Sequence, residues 1–183
     1  MLRSLTLPVP YRCRPVHAFA DRHKSKPREW NIGARGFTRT LWKIGDRRMP
    51  NYWLFKTEPE DYSYDDLELD QRAAWRGLRN SVTLKNLREV RLGDQILIYH
   101  GGGENAVVGT AEAVTDAYPD PKEDDASVVV VEIKPKRKFA EPLLLAEIRA
   151  SEGVGDFDPA RLPLLSVMPV SNAQWQAIQE LSR

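Results

Sequence analysis

Six consecutive residues, Trp75-Arg76-Gly77-Leu78-Arg79-Asn80, gather the side chains best suited to hold a flat polar ligand: an indole, two guanidinium groups, a carboxamide and a glycine at which the backbone can turn sharply. Trp75 would supply an aromatic wall, and Arg79 and Asn80 around Gly77 would supply directional hydrogen bonds of the kind that read base edges or phosphates. The plainer alternative has Trp75 packed over the core and Asn80 or Ser81 capping a following helix. Spacing alone gives the two readings equal weight. A second candidate wall is Tyr118 in Tyr118-Pro119-Asp120-Pro121, which otherwise reads as a rigid turn.

Lys56 and Glu58 stand two residues apart at the end of an apolar run, and so on one side of an extended chain. They could line the rim of a cleft, although a surface ion pair worth under about 1 kcal/mol is the reading the spacing favours. Tyr99-His100 closes another apolar run before Gly101-Gly102-Gly103. An imidazole titrates near neutrality and could serve as acid or base, but no nucleophile stands at a spacing that identifies a partner, which argues against catalysis. An enzyme acting on a modified nucleoside or amide, with His100 or Glu58 as acid or base, stays as a lesser alternative. Lys134, Lys136, Arg137 and Lys138 form a basic cluster that could meet a phosphate backbone, or simply be a solvated strand end. No phosphate-loop, dinucleotide-binding or zinc-protease motif is present, and the single cysteine, Cys13, leaves no thiol pair for zinc. No metal and no cofactor is therefore expected.

The elements that must position these residues begin near Met49. Asn51–Lys56 reads as a strand stopped by Glu58-Pro59. Residues 63–69 read as a helix with Ser63 as its cap and Asp65-Asp66 in its first turn, where carboxylates suit the helix dipole. A helix over 81–90 turns Val82, Leu87 and Val90 to one face. Gly93–His100 follows as a strand buried on both faces, then a strand from Ala106 with Gly109 inside it, marking a bulge or a close approach of ligand or backbone. Residues 127–139 give a β-branched strand ending in charges, and Glu141-Pro142 opens a short helix through Ile148. A last strand over 165–171 ends near Pro169, and a capped helix starts at Ser171, with Gln174 completing the box and Val170 placed as a staple. Five or so strands with interspersed helices give an α+β class, a small mixed barrel with helices outside.

Residues 1–48 are chemically different. They carry 12 Lys+Arg against 3 Asp+Glu, whereas the residues from Met49 on carry 15 against 23. Prolines at 8, 10, 15 and 27 interrupt every candidate element, so the segment is expected to be disordered. A basic arm for a polyanion, an organelle targeting segment, and a mis-assigned start with translation beginning at Met49 all remain open for it. No stretch approaches the ~18 apolar residues of a membrane span, so a soluble protein is expected.

The motifs YWLFKTEPEDYSYDDL, WRGLRN, LREVRLGDQILIYH, VVGTAEAVTDAYPDP and LLSVMPVSNAQWQAI, in that order over residues 50–181, closely resemble the EVE domain family. The resemblance divides the chain into an extension, 1–48, and an EVE domain, 49–183. It implies a PUA-like fold, a compact β-barrel of about five to six strands with peripheral helices, related to the YTH, ASCH and SRA groups. It further implies a non-enzymatic nucleic-acid-binding module that reads a modified base, modified cytosine in DNA being the usual proposal, with an RNA-binding PUA-type module as the alternative. Carried onto this chain, the resemblance puts Lys56, Thr57 and Glu58 at a pocket mouth, Trp75 as a cage wall with Arg79 and Asn80 beside it, and Tyr99 and His100 along the neighbouring strand. The partner implied is a modified DNA or RNA base, and the location cytoplasmic, or nuclear or organellar in a eukaryote. Two departures touch the pocket: Tyr64 stands where the family often has tryptophan, and RNSVTLKN replaces a commoner RNYQARN. An acidic domain repels phosphates, which favours a pocket for one extruded base over long backbone contact.

Overall fold

A computed structural model describes residues 49–152, 154–162 and 164–183. The expectations for residues 1–48 lie outside the described residues. The elements in order are β1 (Tyr52–Thr57), α1 (Tyr64–Asp70), β2 (Ala73–Trp75), α2 (Ser81–Glu89), β3 (Gln95–His100), β4 (Ala106–Ala113), β5 (Tyr118–Pro119), β6 (Val129–Leu144), α3 (Leu145–Ala150), β7 (Val167–Val170) and α4 (Asn172–Leu181). The sheet runs β2-β6-β4-β3-β1-β7 with β5 beside β6. Among the described residues β1 and β3 pair in parallel and the other pairs are antiparallel. Among the described residues the sheet curls into a half-barrel of six to seven strands with four helices, the PUA-like arrangement expected.

Period-two alternation splits the core into two layers. In β1, Trp53 and Phe55 join one buried cluster while Leu54 joins the other; in β3, Ile96 and Ile98 join the first while Leu97 and Tyr99 join the second. Tyr64 and Leu67 of α1 and Leu84 and Leu87 of α2 cover the first layer. Leu145 and Ile148 of α3 and Trp175 and Ile178 of α4 cover the second. Each fully buried aliphatic or aromatic side chain contributes about 1.5–3 kcal/mol of transfer free energy, so both β1 faces are needed to hold this fold. The caps of α1 and α4 fall where the sequence puts them, and of the two residues open for α2 it is Asn80 that caps. Ser63 and Asp66 form a capping box on α1, Asn80 caps α2, and Ser171 and Gln174 box α4.

Four expectations need correction. β2 was not foreseen, being only Ala-Ala-Trp, too short to show alternation. The basic stretch 134–138 does not end a strand: β6 continues through it to Leu144, and the helix expected from Glu141-Pro142 begins only at Leu145. Register shifts opposite Val107/Gly109 and Thr110/Ala111 let a strand containing Pro135 stay paired with β4, since a bulge tolerates a residue without an N–H. Val82 is exposed; the buried positions of α2 are Thr83, Leu84 and Leu87. At Gly109 both expectations hold. It borders a bulge, and a Cβ there would stand 2.7 Å from the Arg137 carbonyl and 2.7 Å from the Tyr64 ring.

Candidate functional site

The two-layer core separates the candidate residues. Thr57 follows Phe55 on its face of β1, and its hydroxyl donates to the carbonyl of Tyr62 at 3.1 Å. His100 lies on the same face of β3, where its Nε2 accepts the backbone N–H of Tyr64 at 3.2 Å. Lys56 and Tyr99, paired in register, belong to the opposite face with α3 and α4. The Tyr99 hydroxyl donates to Asn105 Oδ1 at 3.0 Å, and burial is the main cause that pushes its pKa upward. The carboxylate of Glu58 lies against the glycine turn; a Cβ on Gly101 or on Gly102 would come within 2.5 Å of its oxygens. Strand alternation puts Lys56 and Thr57 on opposite faces of β1, and Glu58 follows the strand's last residue.

The remaining candidates lie on β2, on the turn into α2 and on β5, with β2 and β5 both paired to β6. Trp75, 3% exposed, packs with Phe55 at 5.2 Å between ring centroids and edge-on to Tyr62 at 6.4 Å. Its indole N–H is buried and has no hydrogen-bond partner. Gly77 has φ +80°, a conformation that favours glycine, and so turns the chain from β2 towards α2. Asn80 Oδ1 accepts from the N–H groups of Val82 and Thr83, which commits that oxygen to the helix. Arg79 Nη2 lies 3.0 and 3.1 Å from the two carboxylate oxygens of Glu123. Tyr118 donates to Glu132 Oε1 at 2.7 Å. Burial, together with that carboxylate, raises its pKa to about 12.

Chemistry at His100 is constrained by its bonds. Because Nε2 accepts from Tyr64, the proton of the neutral ring sits on Nδ1, which faces Glu104 Oε2 at 2.7 Å. Both ring nitrogens are engaged with the protein. The basic cluster is also internally matched: Lys134 and Lys136 both reach Glu112, Lys138 pairs with Asp65, and Arg137 donates to Gln179 and Ser182 while lying over the Phe139 ring. Among the described residues no group of three or more His, Cys, Asp or Glu side chains could hold a metal ion, and no helix is long and apolar enough to cross a membrane. Two clefts, of about 270 and 390 Å³, open near Phe157 and near Pro50. None of the ten candidate residues lines either of them.

Four acidic partners in this region were not read from the sequence. Glu104 is four residues from His100 across the glycine turn, a spacing that could have suggested the pair. Asp120 and Glu123 belong to the acid-rich run 120–125, whose charge is the natural complement of Arg76 and Arg79. Glu132, joined by Tyr118 and Arg72, gave no local signal because its partners lie 14 and 60 residues away.

The half-barrel has the PUA-like fold. The chain is a member of the EVE domain family, whose pattern matches residues 51–181. It is similar to mouse thymocyte nuclear protein 1, 30% identical over 136 residues that make up 60% of this chain and 60% of that protein. The chain thus spans only part of that curated relative. The solution structure of Rpa0253 from Rhodopseudomonas palustris superposes with a TM-score of 0.67 at 31% identity, covering 72% of this chain and 92% of the other. Human THYN1, solved in complex with 5-methylcytosine-containing DNA, superposes with a TM-score of 0.66 at 24% identity, over 73% and 98% of the two chains. At that identity the likeness to human THYN1 establishes the shared fold.

Proposed function

We propose that this chain is a non-enzymatic nucleic-acid-binding module that reads a modified base, modified cytosine in DNA, at the Trp75 end of the sheet. The observation that carries the reading is the unpartnered indole N–H of Trp75. A buried donor without a partner costs about 1–3 kcal/mol, and an acceptor on the edge of an extruded base would remove that cost while the ring stacks or packs against it. Extruding a base costs a few kcal/mol, which stacking of about 1–3 kcal/mol per base can offset. The capture of 5-methylcytosine DNA by human THYN1 supports the choice of ligand. What the longer curated relatives do as whole proteins enters only through this proposal. A cytoplasmic location, or a nuclear one in a eukaryote, goes with it.

Arg79, at the rim, would meet the backbone, and Tyr118 and Asn80 would shape the approach. Lys56, Thr57 and Glu58 would form the pocket mouth, with Tyr99 and His100 along the neighbouring strand; Lys134, Lys136, Arg137 and Lys138 would contact phosphate only after leaving their present partners. The test is a fluorescence titration of oligonucleotides with and without 5-methylcytosine, and of matched RNA, on the wild type and on Trp75→Phe, which keeps a ring and removes the N–H. The expected result is tighter binding of the methylated oligonucleotide and about a tenfold loss of that preference in the variant, the worth of one hydrogen bond. Equal binding of both DNAs, or preference for the RNA, would overturn it.

A further inference from the structure

The chain between β5 and β6 is fastened to the Trp75 end by arginines. Arg76 Nη1 stands 3.6 Å from Oδ1 of Asp120, whose side chain is 3% exposed, and Arg88 donates to the carbonyl of Ser127. Between those two points Glu123 presents both carboxylate oxygens to a single nitrogen of Arg79, at 3.0 and 3.1 Å. The loop holds its own shape. The Lys122 N–H bonds Asp120 Oδ1, and the Ser127 N–H bonds Asp125 Oδ1. Asp125 keeps its carboxyl below the usual range through the Ser127 hydroxyl and N–H, with a smaller contribution from Arg79 and Arg88. A carboxylate on a loop fixed at both ends has less conformational freedom to lose than an ordinary surface partner, so its pairing with Arg79 persists.

A carboxylate and a phosphate offer a guanidinium the same pair of anionic oxygens. Resting on the reading that the Trp75 end binds nucleic acid, we infer that Arg79 is a backbone-phosphate contact and that Glu123 is its built-in competitor, a carboxylate standing where a phosphate oxygen would bind. Phosphate must displace Glu123 before Arg79 can contribute. The competitor therefore holds down the affinity that does not depend on the base, in a domain whose overall acidity already weakens backbone contact.

The experiment measures binding of one plain and one methylated oligonucleotide by the full chain across a range of salt concentrations. It compares the wild type, Glu123→Gln, Glu123→Gln with Arg79→Gln, and Glu180→Gln, which removes an equal charge from exposed α4. Glu123→Gln is expected to bind both oligonucleotides about two- to fivefold tighter at low salt, the range that an exposed ion pair allows. Its log–log salt slope should steepen by up to about 0.9 for duplex or about 0.7 for a single strand. Adding Arg79→Gln removes the gain, and Glu180→Gln gives none. An unchanged affinity in Glu123→Gln, or an equal gain in Glu180→Gln, overturns the competitor. If the gain appears without preference for the methylated base, the competitor stands and the base-reading proposal falls. If the preference appears without the gain, the reverse holds, and failure of every variant to bind either oligonucleotide overturns both.

Discussion

Trp53 and Trp75 have the same exposure, 3%, and belong to the same buried cluster, yet their indole nitrogens are treated oppositely. Trp53 Nε1 donates to Asp94 Oδ2 at 2.9 Å. That carboxylate, fully buried, also accepts the backbone N–H groups of Asn51 and Arg91 at 3.0 Å. Trp75 Nε1 is buried with no partner. The fold thus builds a three-donor carboxylate hub for one indole and leaves the other unsatisfied, in two places where burial alone would predict the same arrangement. The lesson is that burial alone does not distinguish the two tryptophans; the state of each one's only polar atom does.

Substitutions break the comparison in a graded way. Asp94→Ala strands three donors at once and should cost about 3–4 kcal/mol of stability, read as a lower denaturant midpoint at an unchanged slope. Trp53→Phe removes one hydrogen bond to a charged group and some ring volume, for about 2 kcal/mol, with ligand preference unaltered. Trp75→Phe should do the opposite. Its stability stays within about 1 kcal/mol of the wild type, because the lost indole area is offset by removal of an unpaired donor, while preference for the modified base falls. Equal stability losses in the two phenylalanine variants would abolish the distinction.

Alkali sharpens it more gently. Tyr64, in the same cluster as the two indoles, has its pKa raised from 10.0 to about 12, chiefly by burial. Tyr118, near Trp75, is raised to about 12, first by burial and then by the Glu132 carboxylate that accepts its hydrogen bond. The unfolded phenols ionise at about 10, so the contribution of both groups is fully present below that pH. It is lost as pH rises from 10 to about 12, where the folded groups also ionise. Denaturant midpoints should fall over this window, and Tyr118→Phe should remove part of the fall.

Much of the fold was legible because its signals are local. Ser63 with Asp66, and Ser171 with Gln174, announce helix starts within four residues, and Ile96 to Tyr99 announces a strand buried on both faces. β2 and the second half of β6 were not legible. Three residues cannot display a period, and a strand whose exposed positions are lysines and arginines reads as a solvated end until its partner β4 is known. The site divides in the same way. The WRGLRN stretch drew attention through composition, but the assignment of Lys56 and Tyr99 to one face and Thr57 and His100 to the other required the register of β1 on β3. The partner of Arg79 lies 44 residues away, on a loop whose run of acids was visible but whose destination was not.

The most direct test of the central claim follows the indole N–H resonances of Trp53 and Trp75 during titration with plain and 5-methylcytosine oligonucleotides. The account predicts that the Trp75 signal moves with the methylated oligonucleotide, by more than with the plain one, as its proton gains an acceptor, and that the Trp53 signal stays in place on Asp94. A Trp75 signal that stays still, or that moves equally with both oligonucleotides, would contradict it.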